Sequence, residues 1–341
     1  MKLEIHEVFM LKQTIEDMSR LTRSSLSETT WNDAEYNALR SLGKELSSSN
    51  ALESIKLDPY WPKWDSPWWK ALLLSEAGMT ELIPKQFVEE MIAVLNRHYL
   101  HYFPLVETDI PAGCEPYRHG MCHCALGNMC RLIELCDYEA DKQIPWLGDW
   151  CERYQLPDGG YNCDEAAYTK SKKSSFLSTI PMLEVMLLIY RRTGDESLKT
   201  SLEAGAQYLL NHAVYKSSTG RLITEAWLHL SFPRYYDYDV LRGLSFLAEW
   251  AAVFGKKLPH DIVADCMRQI EPALDESGLI RITEDKIAVE GSLVQNGSVW
   301  EWKEKASRFP ALDMFGKVGM ASLPLSRQLL SMLEHLQLVI E

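Results

Sequence analysis

The chain has 341 residues, is 46% hydrophobic and carries a formal charge of −13. It can bury a large core and offers no basic stripe for a phosphate backbone, which excludes nucleic-acid binding as a main activity. No stretch reaches the roughly eighteen uninterrupted apolar residues of a bilayer span, and Met1 to Glu7 lacks the basic-then-apolar order of a secretory signal, so the expectation is a cytoplasmic protein without an integral membrane segment.

Apolar residues recur at helical spacing along most of the chain. Leu3 to Arg23 and Thr30 to Ser49 form a first expected helix pair, and Pro67 to Ala77 with Pro84 to Tyr99 a second. Gly120 to Asp137 and Lys142 to Gln155 form a third. A glycine turn, Gln155-Leu156-Pro157-Asp158-Gly159-Gly160-Tyr161, leads through Cys163 and Asp164 into a helix from Ser174 to Arg192, stopped by Gly194. Glu196 to Tyr215 follows, ending near Ser217-Ser218-Thr219-Gly220. A loop through Arg234 then opens helices from about Tyr238 to Phe254, stopped by Gly255, and from about Pro259 to Leu274, stopped at Gly278.

Gly160, Gly220 and Gly278 mark a period of about sixty residues. Leu279 to Val289 alternates enough for a short strand or hairpin, and Ala321 to Ile340 restores a helix. The expected class is all-α, with about five to six antiparallel helix pairs and a short β-hairpin near 279–302. The repeat favours one domain over 1–341, with 1–110 as N-terminal helix pairs, 111–282 as the repeat core and 283–341 as a closing segment. Period alone leaves an open superhelix and a closed ring as alternatives.

The eight cysteines are Cys114, Cys122, Cys124, Cys130, Cys136, Cys151, Cys163 and Cys266, and a chain without an export signal keeps them mostly reduced. On helix faces, Cys130, Cys136, Cys151 and Cys266 read as small buried hydrophobes. The densest group of potential ligands is His119, Cys122, His123 and Cys124. Residues four apart share a helix face, so His119 and His123 could meet one ion or substrate, whereas Cys122 and His123 point about 100° apart. Cys163 and Asp164 place a thiol beside a carboxylate, and Asp158 fits an Asp-Gly-Gly turn as an acceptor of backbone N–H groups. Asp239 and Arg242 fit either a surface pair or a helix cap. Arg234, beside Tyr235, Tyr236 and Tyr238, fits anion binding or ring stacking. Eleven tryptophans and fifteen tyrosines, Trp300 and Tyr161 among them, supply ring faces for packing, a lipid tunnel or a sugar platform alike.

The turn from Gln155 to Tyr161 resembles the Q-x-x-D-G-G-W repeat of the terpenoid cyclase and protein prenyltransferase superfamily, whose members are toroids of paired helices. Ser174-Ser175-Phe176 and Tyr238-Asp239-Val240-Leu241-Arg242-Gly243-Leu244 are similar to a bacterial prenyltransferase-like or squalene-cyclase-like subgroup. The match spans about 110–282. It departs from the family at the acid motif, where Asp237-Tyr238-Asp239 is one carboxylate short of Asp-x-Asp-Asp, and at the zinc set, where Cys163 and Asp164 are adjacent. The resemblance implies an α/α toroid in which the loops before the inner helices meet at one end of a cavity. His119, His123, Cys163, Asp164, Tyr238 and Asp239 would then converge.

On that reading the protein is an isoprenoid transferase or cyclase-like enzyme, or a binder of another lipophilic small molecule. Asp239, Asp164, His123 and Tyr238 would be catalytic, Arg234, Arg242, Tyr161 and Trp300 would bind substrate, and Cys163, Asp164, His119 and His123 would hold zinc. Two alternatives accompany it. One is a carbohydrate-active toroid, hydrolase or lyase, using carboxylates such as Asp164, Glu165, Asp237 and Asp239; the other is a non-catalytic module binding a small molecule or peptide.

Overall fold

The structure, a computed structural model, describes residues 2–287 and 291–341. In chain order its helices begin with α1 (Lys2–Glu28), α2 (Asp33–Leu46), α3 (Ser49–Leu57), α4 (Pro67–Glu76) and α5 (Lys85–His98). Next come α6 (Pro116–His119), α7 (His123–Leu135), α8 (Ala140–Gln143), α9 (Leu147–Tyr154), α10 (Phe176–Thr193) and α11 (Ser197–Asn211). They are followed by α12 (Val240–Phe254), α13 (His260–Ile270), the strands β1 (Ser292–Asn296) and β2 (Val299–Lys303), α14 (Pro310–Phe315) and α15 (Leu323–Val339). The expected all-α class with a short hairpin is therefore what the chain adopts.

The ends of these helices follow from local chemistry. The Ser48 hydroxyl caps α3 by accepting the Ala51 N–H at 3.2 Å. Pro67 opens α4, where its missing N–H is harmless. Gly194 and Gly255 close α10 and α12 at φ 67° and 61°, a left-handed turn that other residues resist. The hairpin pairs Asn296 with Val299 across Gly297-Ser298, Gly297 supplying the positive φ of a tight turn. Leu279 to Ile287 forms no strand; isolated bridges tie Leu274 to Ile280 and Arg281 to Ala321 instead. Val289, the end of the strand expected there, lies outside the described residues.

The chain divides into two compact units. One comprises Met1–Asn32, Ala206–Asp285 and Phe315–Glu341; the other comprises Asp33–Gly205 and Lys286–Met314. In the first unit α15 packs on α1 and α12, and α13 on α12. In the second, α2 packs on α4, α3 on α5 and α7 on α10. The α7–α10 contact is close because Gly127 has no side chain: a Cβ there would lie 2.5 Å from the Pro181 carbonyl carbon.

The glycine turn also belongs to the second unit. Gln155 Nε2 donates to the carbonyls of Gly159 and Ser201, each at 2.8 Å, and Asp158 accepts the Ser174 N–H at 2.9 Å. Gly159 sits at φ 100° with its Cα against the Ala204 carbonyl, which an added Cβ would approach to 2.2 Å. Gly220, at φ 79°, has open space around that position. Gly159→Ala should therefore lose about 2–4 kcal/mol of unfolding free energy, combining backbone strain with overpacking, while Gly220→Ala loses about 1–2. Equal losses in urea titrations would remove the close approach to α11 as the reason for this glycine.

Candidate functional site

The second unit contains a cleft of about 590 Å³. Its walls are ring faces, Tyr60, Trp61, Tyr99, Phe103 and Tyr117, and its lining includes the carboxylates Glu107 and Glu165 and the thiols Cys122 and Cys163. Among the described residues lining it there is no Lys, Arg or His. Tyr99 is 6% exposed, and its hydroxyl has no hydrogen-bond partner among the described residues. A buried hydroxyl left unmatched costs about 1–3 kcal/mol, a debt that a ligand in the cleft can settle.

The three sulfurs of Cys122, Cys124 and Cys163 lie within 4.8 Å of one another, so together they could hold a metal ion. Local backbone explains the pairing. Cys122 is the N-cap of α7, with extended φ −99° and ψ 156°, so it and Cys124 are not on a common helical wheel and their sulfurs meet at 3.0 Å. Cys163 arrives from the loop after the glycine turn. Its N–H donates to Ser178 Oγ at 3.0 Å, and that hydroxyl donates to its sulfur at 3.2 Å. Ser178 lies in the first turn of α10, so the positive ends of α7 and α10 both face the thiols.

That environment favours one negative charge among the three sulfurs. Hydrogen bonds from Cys122 and Cys124 hold the Cys163 thiol well below the ordinary range, against burial; neighbouring His123 and the Ser178 hydroxyl act in the same direction. Cys122 moves up: its bond with Cys124 lowers it, but its bond to Cys163 and burial outweigh this. Cys124 also moves up, through its bonds to Cys122 and Cys163 and through burial.

His123 stands next to this group without joining it. Trp150 Nε1–H, which can only donate, reaches His123 Nδ1 at 2.8 Å, so the ring proton sits on Nε2 and is donated to the Tyr168 hydroxyl at 2.8 Å. That hydroxyl accepts the Asn162 N–H and donates to the Tyr154 carbonyl, each at 3.1 Å. Both nitrogens are occupied and the residue is fully buried, so in this arrangement neither is turned to the sulfurs.

Burial lowers the His123 pKa from 6.5 to about 4, although the Cys163 charge pulls upward. The unfolded chain thus takes up a proton near pH 6.5 that the folded chain refuses until about pH 4. The resulting stability is present above the unfolded value and is lost as pH falls towards the folded one. Unfolding free energy should drop by about 2 kcal/mol between pH 7 and pH 5 through this residue, and His123→Gln should flatten that slope in urea titrations at the two pH values.

The other expected site residues each have local partners of their own. Asp164 is exposed, and its Oδ1 accepts the Ala166 N–H at 2.9 Å, a turn contact. His119 Nδ1 accepts the N–H of Glu115, the N-cap of α6, at 2.9 Å, and Gly120 ends that helix, so the spacing of four to His123 crosses a break. Tyr161 is buried with its hydroxyl donating to the Cys151 carbonyl at 2.9 Å. Trp300 lies on the hairpin with the Arg118 guanidinium 4.4 Å from its ring centre.

Arg234, Tyr238, Asp239 and Arg242 belong to the first unit, as does Asp237. Tyr238 is 1% exposed and its hydroxyl donates to the Val214 carbonyl at 2.7 Å. Asp239 caps α12 and pairs with Arg234, while Arg242 donates to the carbonyls of Tyr235 and Asp237. Of the residues singled out in the sequence as ligand candidates, Cys122, Cys124 and Cys163 meet in the thiol group, and of the four expected to hold zinc only Cys163 is among them. Its partners Cys122 and Cys124 carried one usable signal, a C-x-C spacing straddling a helix start.

No family model matches the chain, and no curated protein matches it. Among solved structures it is similar to the glycosyl hydrolase family 88 protein from Bacteroides vulgatus, at 12% identity and a TM-score of 0.41, covering 96% of this chain and 99% of that one. The resemblance to the terpenoid cyclase and prenyltransferase superfamily is corrected at the residues that were to carry it. The residues supply the physical reason: the glycine turn is used in packing, Asp239 is a helix cap, and the described cleft lining offers a prenyl diphosphate no cation. No helix among the described residues is long and apolar enough to cross a membrane.

Proposed function

We propose that the cleft of the second unit is the active site of an enzyme acting on a neutral carbohydrate or a closely similar polyhydroxylated ring. The observation that carries this reading is the composition of the lining: aromatic faces, two carboxylates, a buried hydroxyl lacking a partner and two thiols, with no cationic side chain among the described residues. Ring faces such as Trp61 and Tyr117 take the C–H face of a sugar, and carboxylates accept its hydroxyl protons. Phosphorylated or uronic substrates would meet Glu107 and Glu165 with no Lys, Arg or His among the described lining residues, so the preference is for uncharged sugars. The volume lies within the range of about 300–1,000 Å³ typical of small-molecule sites. Zinc held by Cys122, Cys124 and Cys163 completes the reading, because thiolates select soft or borderline ions and zinc would polarise a substrate oxygen.

Saturation-transfer NMR of the purified protein with neutral mono- and disaccharides, their uronates and a prenyl diphosphate tests this. Binding of at least one neutral sugar, weakened at least tenfold in Trp61→Ala or Tyr117→Ala, is expected. Binding of the diphosphate alone, or of no neutral sugar in a broad panel, overturns it.

A further inference from the structure

The geometry points to a metal site of the open kind: a single ion on Cys122, Cys124 and Cys163 whose fourth position faces the cleft and is taken by the ligand there. This inference rests on the zinc reading above and assigns the ion a catalytic or ligand-binding role rather than a structural one.

Three observations carry it. Tetrahedral zinc with bonds of about 2.3 Å to sulfur spaces its sulfurs about 3.8 Å apart, and the three here lie within 4.8 Å, with the 3.0 Å pair needing to open by less than an ångström. Among the described residues no fourth His, Cys, Asp or Glu completes the group. The nearest nitrogen ligand, His123, is withheld by Trp150 and Tyr168, so a closed four-ligand site cannot form by turning that ring. Structural zinc sites are closed by four protein ligands, whereas catalytic ones keep three and leave one position open.

The open position has a direction and a waiting partner. Cys122 and Cys163 both line the cleft, so an ion on their sulfurs is reached from that side. The unmatched Tyr99 hydroxyl lines the same space as Cys122 and Cys163. A water, alkoxide or sugar hydroxyl on the ion could accept its hydrogen bond. Ser178 fixes Cys163 from behind, as outer hydrogen bonds fix metal ligands generally.

Cobalt(II) titration of the full chain, purified under reducing conditions and treated with a chelator, tests the site. One equivalent should give intense tetrahedral d–d bands with sulfur-to-cobalt charge transfer, and azide should shift the d–d bands. Cys124→Ser and Cys163→Ser should each weaken cobalt binding at least about a hundredfold, and Cys266→Ser, buried in α13, should leave it unchanged. Circular dichroism confirms that each variant is folded. Tyr99→Phe should keep the cobalt spectrum and weaken azide about tenfold; an unchanged azide affinity overturns the role given to Tyr99. No cobalt binding removes the metal reading and this inference with it. Cobalt bands that azide does not move overturn the open position while leaving a closed metal site, so the two failures are distinguishable.

Discussion

Asp58→Ala should lose about 3–5 kcal/mol of unfolding free energy and, with it, the arrangement of three cleft-lining rings. Asp58 is 1% exposed and bolts two segments together. Its Oδ1 accepts the N–H groups of Tyr60 and Trp61 at 3.0 and 2.9 Å, and its Oδ2 accepts Arg118 Nε at 2.8 Å. Trp61 Nε1 in turn donates to the Tyr117 carbonyl at 2.9 Å, so the carboxylate ties Tyr60 and Trp61 to Tyr117, three residues of the cleft lining. Neighbouring His98 does not replace Arg118 as the counter-charge: burial lowers its pKa, and its Nε2–H is donated to the Arg118 carbonyl at 2.8 Å.

Removing one partner of such a pair strands the other in a poorly solvated place, which is why the loss exceeds that of an exposed ion pair. Asp58→Asn keeps the oxygen facing Tyr60 and Trp61 and should lose less, about 1–3 kcal/mol. Urea midpoints measure the stability and saturation-transfer NMR the sugar contact. A loss below about 1 kcal/mol in Asp58→Ala would show that the Arg118 pair contributes little to the fold.

The helices were legible because their signal is local. Apolar spacing and the stops at Gly194 and Gly255 locate α10 and α12 to within two residues of the expected bounds, since a positive φ at a helix end selects glycine whatever the tertiary context. The site was less legible for two reasons. A period assumes continuity, and the spacing of His119 and His123 was counted across Gly120, where one helix ends before another begins at His123. The same break puts Cys122 in an extended N-cap, which turns it towards Cys124 rather than 100° from its neighbour on a wheel.

The cleft walls raise the second difficulty. Tyr60, Tyr99, Phe103 and Tyr117 come from separate loops and helix ends, and only the packing of α3, α5 and α7 with their neighbours brings them together. Composition offered ring faces without saying which would meet. The hairpin shows the converse: its turn signal, Asn296-Gly297, is local and strong, while the alternation of Leu279 to Ile287 reflects burial of a loop strapped by isolated bridges.

Asp239→Ala should also lose about 3–5 kcal/mol, and the pattern of loss separates a structural carboxylate from a catalytic one. Asp239 is fully buried at the start of α12; its Oδ1 accepts the Arg242 N–H at 2.7 Å, and Arg234 reaches both of its oxygens at 3.2 Å. The cap alone is worth about 0.5–2 kcal/mol, and the remainder comes from withdrawing a buried counter-charge from Arg234. Asp239→Asn retains an oxygen for the Arg242 N–H and should fall between the two. In Arg234→Met the ion pair is absent, so adding Asp239→Ala to it should lose less than in the native background, a coupling of about 1–3 kcal/mol in a double-mutant cycle. A catalytic acid behaves otherwise, since its removal abolishes turnover with little change in the urea midpoint. Additive losses in the cycle would disprove the pairing, because two side chains that do not interact cannot change each other's contribution.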